Sequence, residues 1–139
     1  MEQIKSFKIL PEEAINIRTK VFVEEQGFKE EFDTIDKIAE HLILFVDDNP
    51  IGTCRYYIKD DSYYFGRLAI LKDYRNQNYG SLLLKEAINN LKKENAHKVI
   101  LNSQLSAKDF YSKHGFLQEG EVFYEEGCPH IKMYLNLGE

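Results

Sequence analysis

The chain has 139 residues, 43% of them hydrophobic and 29% charged, with a formal net charge of −5. That length suits one domain with a sizeable core, and the composition excludes a disordered chain or a disulfide scaffold. The acidic balance argues against nucleic acid and anionic membranes as partners, while leaving room for a local basic pocket. Ile4 to Leu10 reads as a first strand. Pro11-Glu12-Glu13 opens a helix, with proline in the first turn and acids at the positive end of the dipole. Ala14, Ile15, Arg18, Val21, Phe22 and Glu25 share its mostly apolar face, and Gly27 ends it. Residues 28–40 are acidic and weakly periodic, which predicts a short second helix or a loop. Leu42 to Val46, Ile51 to Lys59 and Tyr63 to Leu71 form a meander, turning at Asp47-Asp48-Asn49-Pro50 and at Lys59-Asp60-Asp61-Ser62.

Ser81 to Asn95 is a helix with the core stripe Leu84, Ala87, Ile88 and Leu91, and Lys92-Lys93 near its C-terminus. Lys98 to Leu101 is a short buried strand. Ser106 is the expected N-cap of a helix over 107–114, with Asp109 completing a capping box and Gly115 ending the helix. Phe116 to Tyr124 and Ile131 to Leu137 close the chain as two strands. The expected fold is mixed α/β in one domain over residues 1–139, with about seven strands and about four helices packed against the sheet.

The two cysteines, Cys54 and Cys128, show no metal-ligand spacing, and no HxxH or CxxC pair supports a metal site. Cys54 is expected to be a reduced core residue. The N-terminal stretch MEQIKSFKIL is strand-like, and no apolar run approaches a membrane span, so the cytoplasm is the expected location.

The run Gly66 to Ser81 carries the strongest chemical signal: an apolar strand, a polar turn, then at once an amphipathic helix. The first turn of a helix leaves N–H groups unpaired and adds partial positive charge, which suits a diphosphate. Gly80 permits close approach, Asn78 tolerates positive φ, and Arg75 is positioned to contact phosphate. An ordinary polar connection is the competing reading.

The turn Arg75-Asn76-Gln77-Asn78-Tyr79-Gly80 resembles the Arg/Gln-x-x-Gly-x-Gly/Ala signature of the GNAT N-acetyltransferase family. Asn102 to Phe116 resembles that family's second motif, an asparagine, an alanine and then Phe-Tyr-x-Lys-x-Gly-Phe. Arg18 to Gln26, Asp33, Asp36, His41 and Gly127 to Met133 are similar to the ElaA/YjcF-type subgroup of small bacterial acetyltransferases. Asn78 departs from the family by replacing the first glycine of the turn; as the side chain most compatible with positive φ, it is expected to keep the loop shape.

The resemblance implies a twisted, mostly antiparallel GNAT sheet and acetyl transfer from acetyl-CoA (coenzyme A as co-substrate, no metal) to a primary amine by direct attack on the thioester. It implies that Arg75, Asn76, Gln77, Asn78, Tyr79, Gly80 and Ser81 hold the diphosphate. Leu68, Ala69 and Ile70 would pair with the pantetheine arm, with a backbone N–H near Leu68 or Ala69 polarising the carbonyl. Asn102 and Ala107 would lie along that arm, and Tyr111 would protonate the leaving thiolate. Periodicity alone permits a plainer role for Tyr111, because Ala107, Phe110, Tyr111 and His114 share a helical face. His41 and His130 are the expected bases, with Glu24, Glu25, Asp33, Asp36 and Glu121 as alternatives, whereas His97 and His114 read as structural. The acidic stretch 24–40 hints at a cationic acceptor, a small molecule or a protein amine. The resemblance also allows a homodimer. A non-catalytic acyl-CoA-binding or sensing module is the alternative function.

Overall fold

The computed structural model describes residues 1–29 and 31–138. A single seven-stranded sheet runs in the order β1-β2-β3-β4-β5-β7-β6. Its strands are β1 (Glu2–Phe7), β2 (Glu40–Val46), β3 (Asn49–Lys59), β4 (Ser62–Ile70), β5 (Lys98–Gln104), β6 (Leu117–Glu125) and β7 (Cys128–Asn136). β2, β3 and β4 form the expected antiparallel meander, β1 pairs antiparallel with β2 at its edge, and β5, β7 and β6 pair antiparallel beyond β4. The β2–β3 turn narrows to Asp47-Asp48 at φ 50° and 69°, and the β3–β4 turn to Asp60-Asp61 at φ 51° and 63°. A two-residue type I′ turn has positive φ at both central positions, and short acidic side chains tolerate it.

Three α-helices are found among the described residues, α1 (Glu12–Arg18), α2 (Tyr79–Lys93) and α3 (Lys108–Lys113), where about four were expected. The expected helix over 11–27 divides, because Thr19–Glu25 continues α1 as a π-helix. Its buried face is Ala14, Ile17, Arg18, Val21 and Phe22, while Ile15 faces solvent. The stretch after it holds only the 3₁₀ turn Thr34–Lys37, closed by a capping box between Asp33 and Asp36. Ser106 does not cap α3: Ala107 stands at that position, without a side-chain cap. No helix among the described residues is long and apolar enough to cross a membrane.

Two layers cover the sheet. Leu83, Leu84, Ala87 and Leu91 of α2 pack on Leu42, Leu44, Cys54, Phe65, Val99 and Met133. On the other face, Ile17, Val21 and Phe22 pack on Ala69 of β4. Arg18 lies within that second layer, yet only 1% of its surface is exposed. Its Nε donates to Glu31 Oε2 at 2.8 Å and its Nη1 to Asp36 Oδ1 at 2.8 Å. Arg55 of β3, 3% exposed, donates from Nη1 to both Asp33 Oδ1 and Asp36 Oδ1 at 2.8 Å. Arg67 of β4 completes the cluster, with Nε 3.0 Å from Glu31 Oε2 and Nη2 3.4 Å from Asp33 Oδ2. Three arginines thereby fasten the acidic 31–36 segment to the sheet.

Burial by itself would raise the Asp36 carboxyl, but the Arg18 and Arg55 guanidinium groups outweigh it and hold that carboxyl down at about 2. A carboxyl depressed on folding stabilises the fold above its unfolded value and loses that contribution as pH falls through the folded value. Asp36→Asn should therefore cost about 3–5 kcal/mol near neutral pH, because it removes the buried carboxylate that Arg18 and Arg55 share, leaving each with one acidic partner. In urea unfolding, the gap between wild type and variant should narrow between about pH 4 and pH 2, where wild type protonates the same group. A gap independent of pH would place the effect in packing.

Candidate functional site

Strand β4 pairs with β5 in parallel only at Tyr63↔Val99 and Tyr64↔Ile100. Beyond that point β4 stays with β3 up to Gly52↔Ile70, and β5 stays with β7 up to Gln104↔His130. The two strands therefore diverge, and a wedge of about 650 Å³ opens between them. Within it β4 is bulged: Arg55 pairs Gly66 and Thr53 pairs Ala69, so Arg67 and Leu68 together oppose Cys54. Arg67 takes φ 54° there. Bulges of this kind turn backbone groups away from the ladder and are common beside active sites.

Leu68, Asn102, Ala107, Tyr111 and His130 line the wedge, as does Arg75. Ala69 and Ile70 turn their side chains into the two apolar layers, which leaves only their backbone for a ligand. The wedge reaches the 75–81 turn at Arg75, whereas Asn76, Gln77 and Asn78 are exposed beyond it. Asn78 caps α2 at φ 66° and ψ 16°, the left-handed conformation expected of it, and its side chain makes no capping bond. The first N–H groups of this 15-residue helix are thus left without a side-chain cap.

The Arg75 side chain corrects one expectation. Its Nη1 and Nη2 donate to Glu25 Oε2 at 2.6 Å and Oε1 at 2.8 Å, and its Nε donates to the Ile70 carbonyl at 2.9 Å. That guanidinium ties the π-helix to the turn and is not free for a phosphate. Gly80 faces protein as well: a Cβ there would meet Phe110 Cζ at 3.4 Å. Ser81 Oγ lies 2.9 Å from His114 Nε2, joining α2 to the end of α3.

Tyr111 sits at the base of the wedge, 8% exposed, its ring edge-on to Phe65, Phe110 and Phe116. Burial pushes its phenol further up, so it stays protonated. No hydrogen-bond partner for its hydroxyl exists among the described residues. His130 lies 6% exposed on the opposite wall, stacked on Phe123. Its Nδ1 is 2.9 Å from the Cys128 carbonyl, which assigns the proton to Nδ1 in the neutral ring and leaves Nε2 as the acceptor. His41 does not reach the wedge. It is 1% exposed, with Nε2 3.0 Å from the Asp36 carbonyl, and burial lowers its imidazole below the ordinary value. The acidic stretch is likewise not a free rim, because Glu31, Asp33 and Asp36 face arginines.

Sequence reasoning missed Phe28, Glu31, Arg55, Tyr57, Tyr64 and Arg67, all of which line the wedge. Two signals were present: Arg18 on an apolar helix face and Arg67 inside an apolar strand. A long charged side chain at such a position requires a buried partner. No group of three or more histidine, cysteine, aspartate or glutamate residues among those described is placed to hold a metal.

The comparisons with known proteins agree with this geometry. The model of the Acetyltransferase (GNAT) domain matches residues 9–137. The chain is 34% identical over 125 residues to the uncharacterized N-acetyltransferase YjcF of Bacillus subtilis, covering 87% of this chain and 89% of that one. The crystal structure of Escherichia coli ElaA superposes with a TM-score of 0.87 at 24% identity, covering 96% of this chain and 99% of that one. An acyl-CoA N-acyltransferase from Pseudomonas aeruginosa superposes at 0.83 and 24% identity, covering 96% and 97%. The family model spans most of the chain and the Bacillus subtilis relative is alike over nearly the whole of both chains, so this chain belongs to the GNAT family.

Proposed function

We propose that the chain, as one domain over residues 1–139, is an acetyl-CoA-dependent N-acetyltransferase acting on a primary amine in the cytoplasm. The observation that carries this reading is the wedge itself: an unpaired, bulged edge of β4 opposite the unpartnered hydroxyl of Tyr111. An extended arm added to that edge would be held by main-chain hydrogen bonds, as a peptide is held at a sheet edge. The uncapped start of α2, entered through Asn78 and Gly80, supports diphosphate binding by backbone N–H groups. With Arg75 committed to Glu25, backbone carries that role.

Acetyl-CoA would supply an activated acyl carbon and a thiolate leaving group. Backbone N–H groups freed by the bulge at Arg67 and Leu68 are the donors best placed for the carbonyl oxygen. Tyr111 would give its proton to the departing sulfur, since burial keeps its phenol protonated. His130 Nε2 is the histidine nitrogen on the cleft wall able to take a proton from the attacking amine, and His41 is too deeply buried for that role. A sensing module that merely binds the cofactor would have no use for a proton donor at the base of the wedge.

A thermal-shift titration with acetyl-CoA, beside ATP and NAD, tests the cofactor reading first. A saturable rise specific to acetyl-CoA is expected by mass action, and equal responses to all three would overturn it. Tyr111→Phe should lower kcat by about 10²–10³-fold while leaving the acetyl-CoA shift in place. Unchanged kcat would remove Tyr111 as the proton donor. Asn78→Gly should keep both stability and cofactor shift. Asn78→Val should lose about 1–2 kcal/mol through backbone strain at φ 66° and weaken the shift. If valine is tolerated as well as glycine, the turn is not shaped by that conformation.

A further inference from the structure

We propose that Glu31 is the carboxylate that receives the acceptor, and that the acceptor is a primary ammonium carried on an apolar body. This rests on the acyltransferase reading and adds where the amine docks. Glu31 is only 5% exposed, yet it lines the wedge. Both of its guanidinium contacts fall on one oxygen: Arg18 Nε at 2.8 Å and Arg67 Nε at 3.0 Å meet Oε2. Among the described residues no hydrogen bond to Oε1 is found. A carboxylate ordinarily accepts on both oxygens.

Arg67 supplies the location. It is the bulge residue of β4, so the carboxylate it contacts lies beside the strand segment that would face the thioester. The environment of Glu31 points the same way. Burial also outweighs the arginines at Glu31 and raises its carboxyl, so the charged form is under-compensated and gains from a further cation. Phe22, Phe28 and the stacked pair Tyr57–Tyr64, with ring centroids 5.3 Å apart, line the same space. They suit an apolar or aromatic body behind the ammonium.

The test needs no cofactor. 2-Phenylethylamine and its neutral isostere 2-phenylethanol are titrated into the full chain by calorimetry. The amine should bind about tenfold or more tightly, the difference a charge-assisted hydrogen bond makes. Glu31→Gln should erase that preference while keeping the acetyl-CoA thermal shift; Glu125→Gln should leave the preference in place. Equal binding of amine and alcohol to wild type, or no binding of the amine, would overturn the proposal even if Glu31→Gln does not fold. So would a preference that survives Glu31→Gln or vanishes in Glu125→Gln. Loss of the acetyl-CoA shift in wild type would instead strike the acyltransferase reading, whatever the amine does.

Discussion

Two parallel strands that pair for only two residue positions govern the rest of this structure. β4 is committed to β3 and β5 to β7 along most of their lengths, so neither can follow the other once they separate. Unpaired strand edges inside a fold are costly unless something hydrogen-bonds to them. Here the wedge leaves such an edge facing an opening of about 650 Å³, next to a buried phenol whose hydroxyl has no hydrogen-bond partner among the described residues.

The arginine–carboxylate cluster gives the wedge its second wall. Arg18, Arg55 and Arg67 come from α1, β3 and β4, and all reach the same acidic segment. Buried ion pairs add little net stability compared with apolar packing, but removing one partner is expensive. Such a cluster therefore fixes the position of the segment more than it strengthens the fold. It also ends the simple view of that segment as an acidic surface, since Glu31, Asp33 and Asp36 all meet arginines of α1, β3 and β4.

A third link joins this wall to the helix turn. Glu25 closes the π-helix and takes both terminal nitrogens of Arg75, while Gln26 and Gln104 join side chains at 2.8 Å across the wedge mouth. Lys29 N–H donates to Glu126 Oε1 at 2.9 Å, bringing in the β6–β7 hairpin. The segment after α1 is thus tied to the turn, to β5 and to that hairpin. Any ligand entering between β4 and β5 meets a surface assembled from all of them.

Local chemistry was readable from the sequence alone. The alternating apolar strands, the short acidic turns, the α2 stripe and the left-handed Asn78 each follow from forces acting within a few residues. The motif around Tyr111 was legible only as a family resemblance, since periodicity alone also fitted a plain core tyrosine. What the chain could not reveal by itself were distances between elements far apart in sequence. That Arg75 meets Glu25, that His41 is shut behind Asp36, and that Glu31 faces the wedge depend on how α1 and its π-helical extension lie on the sheet. Periodicity marks which face of an element is buried; only the packed structure decides which charge finds which, because pairing energies are set by separations that no spacing in the sequence encodes.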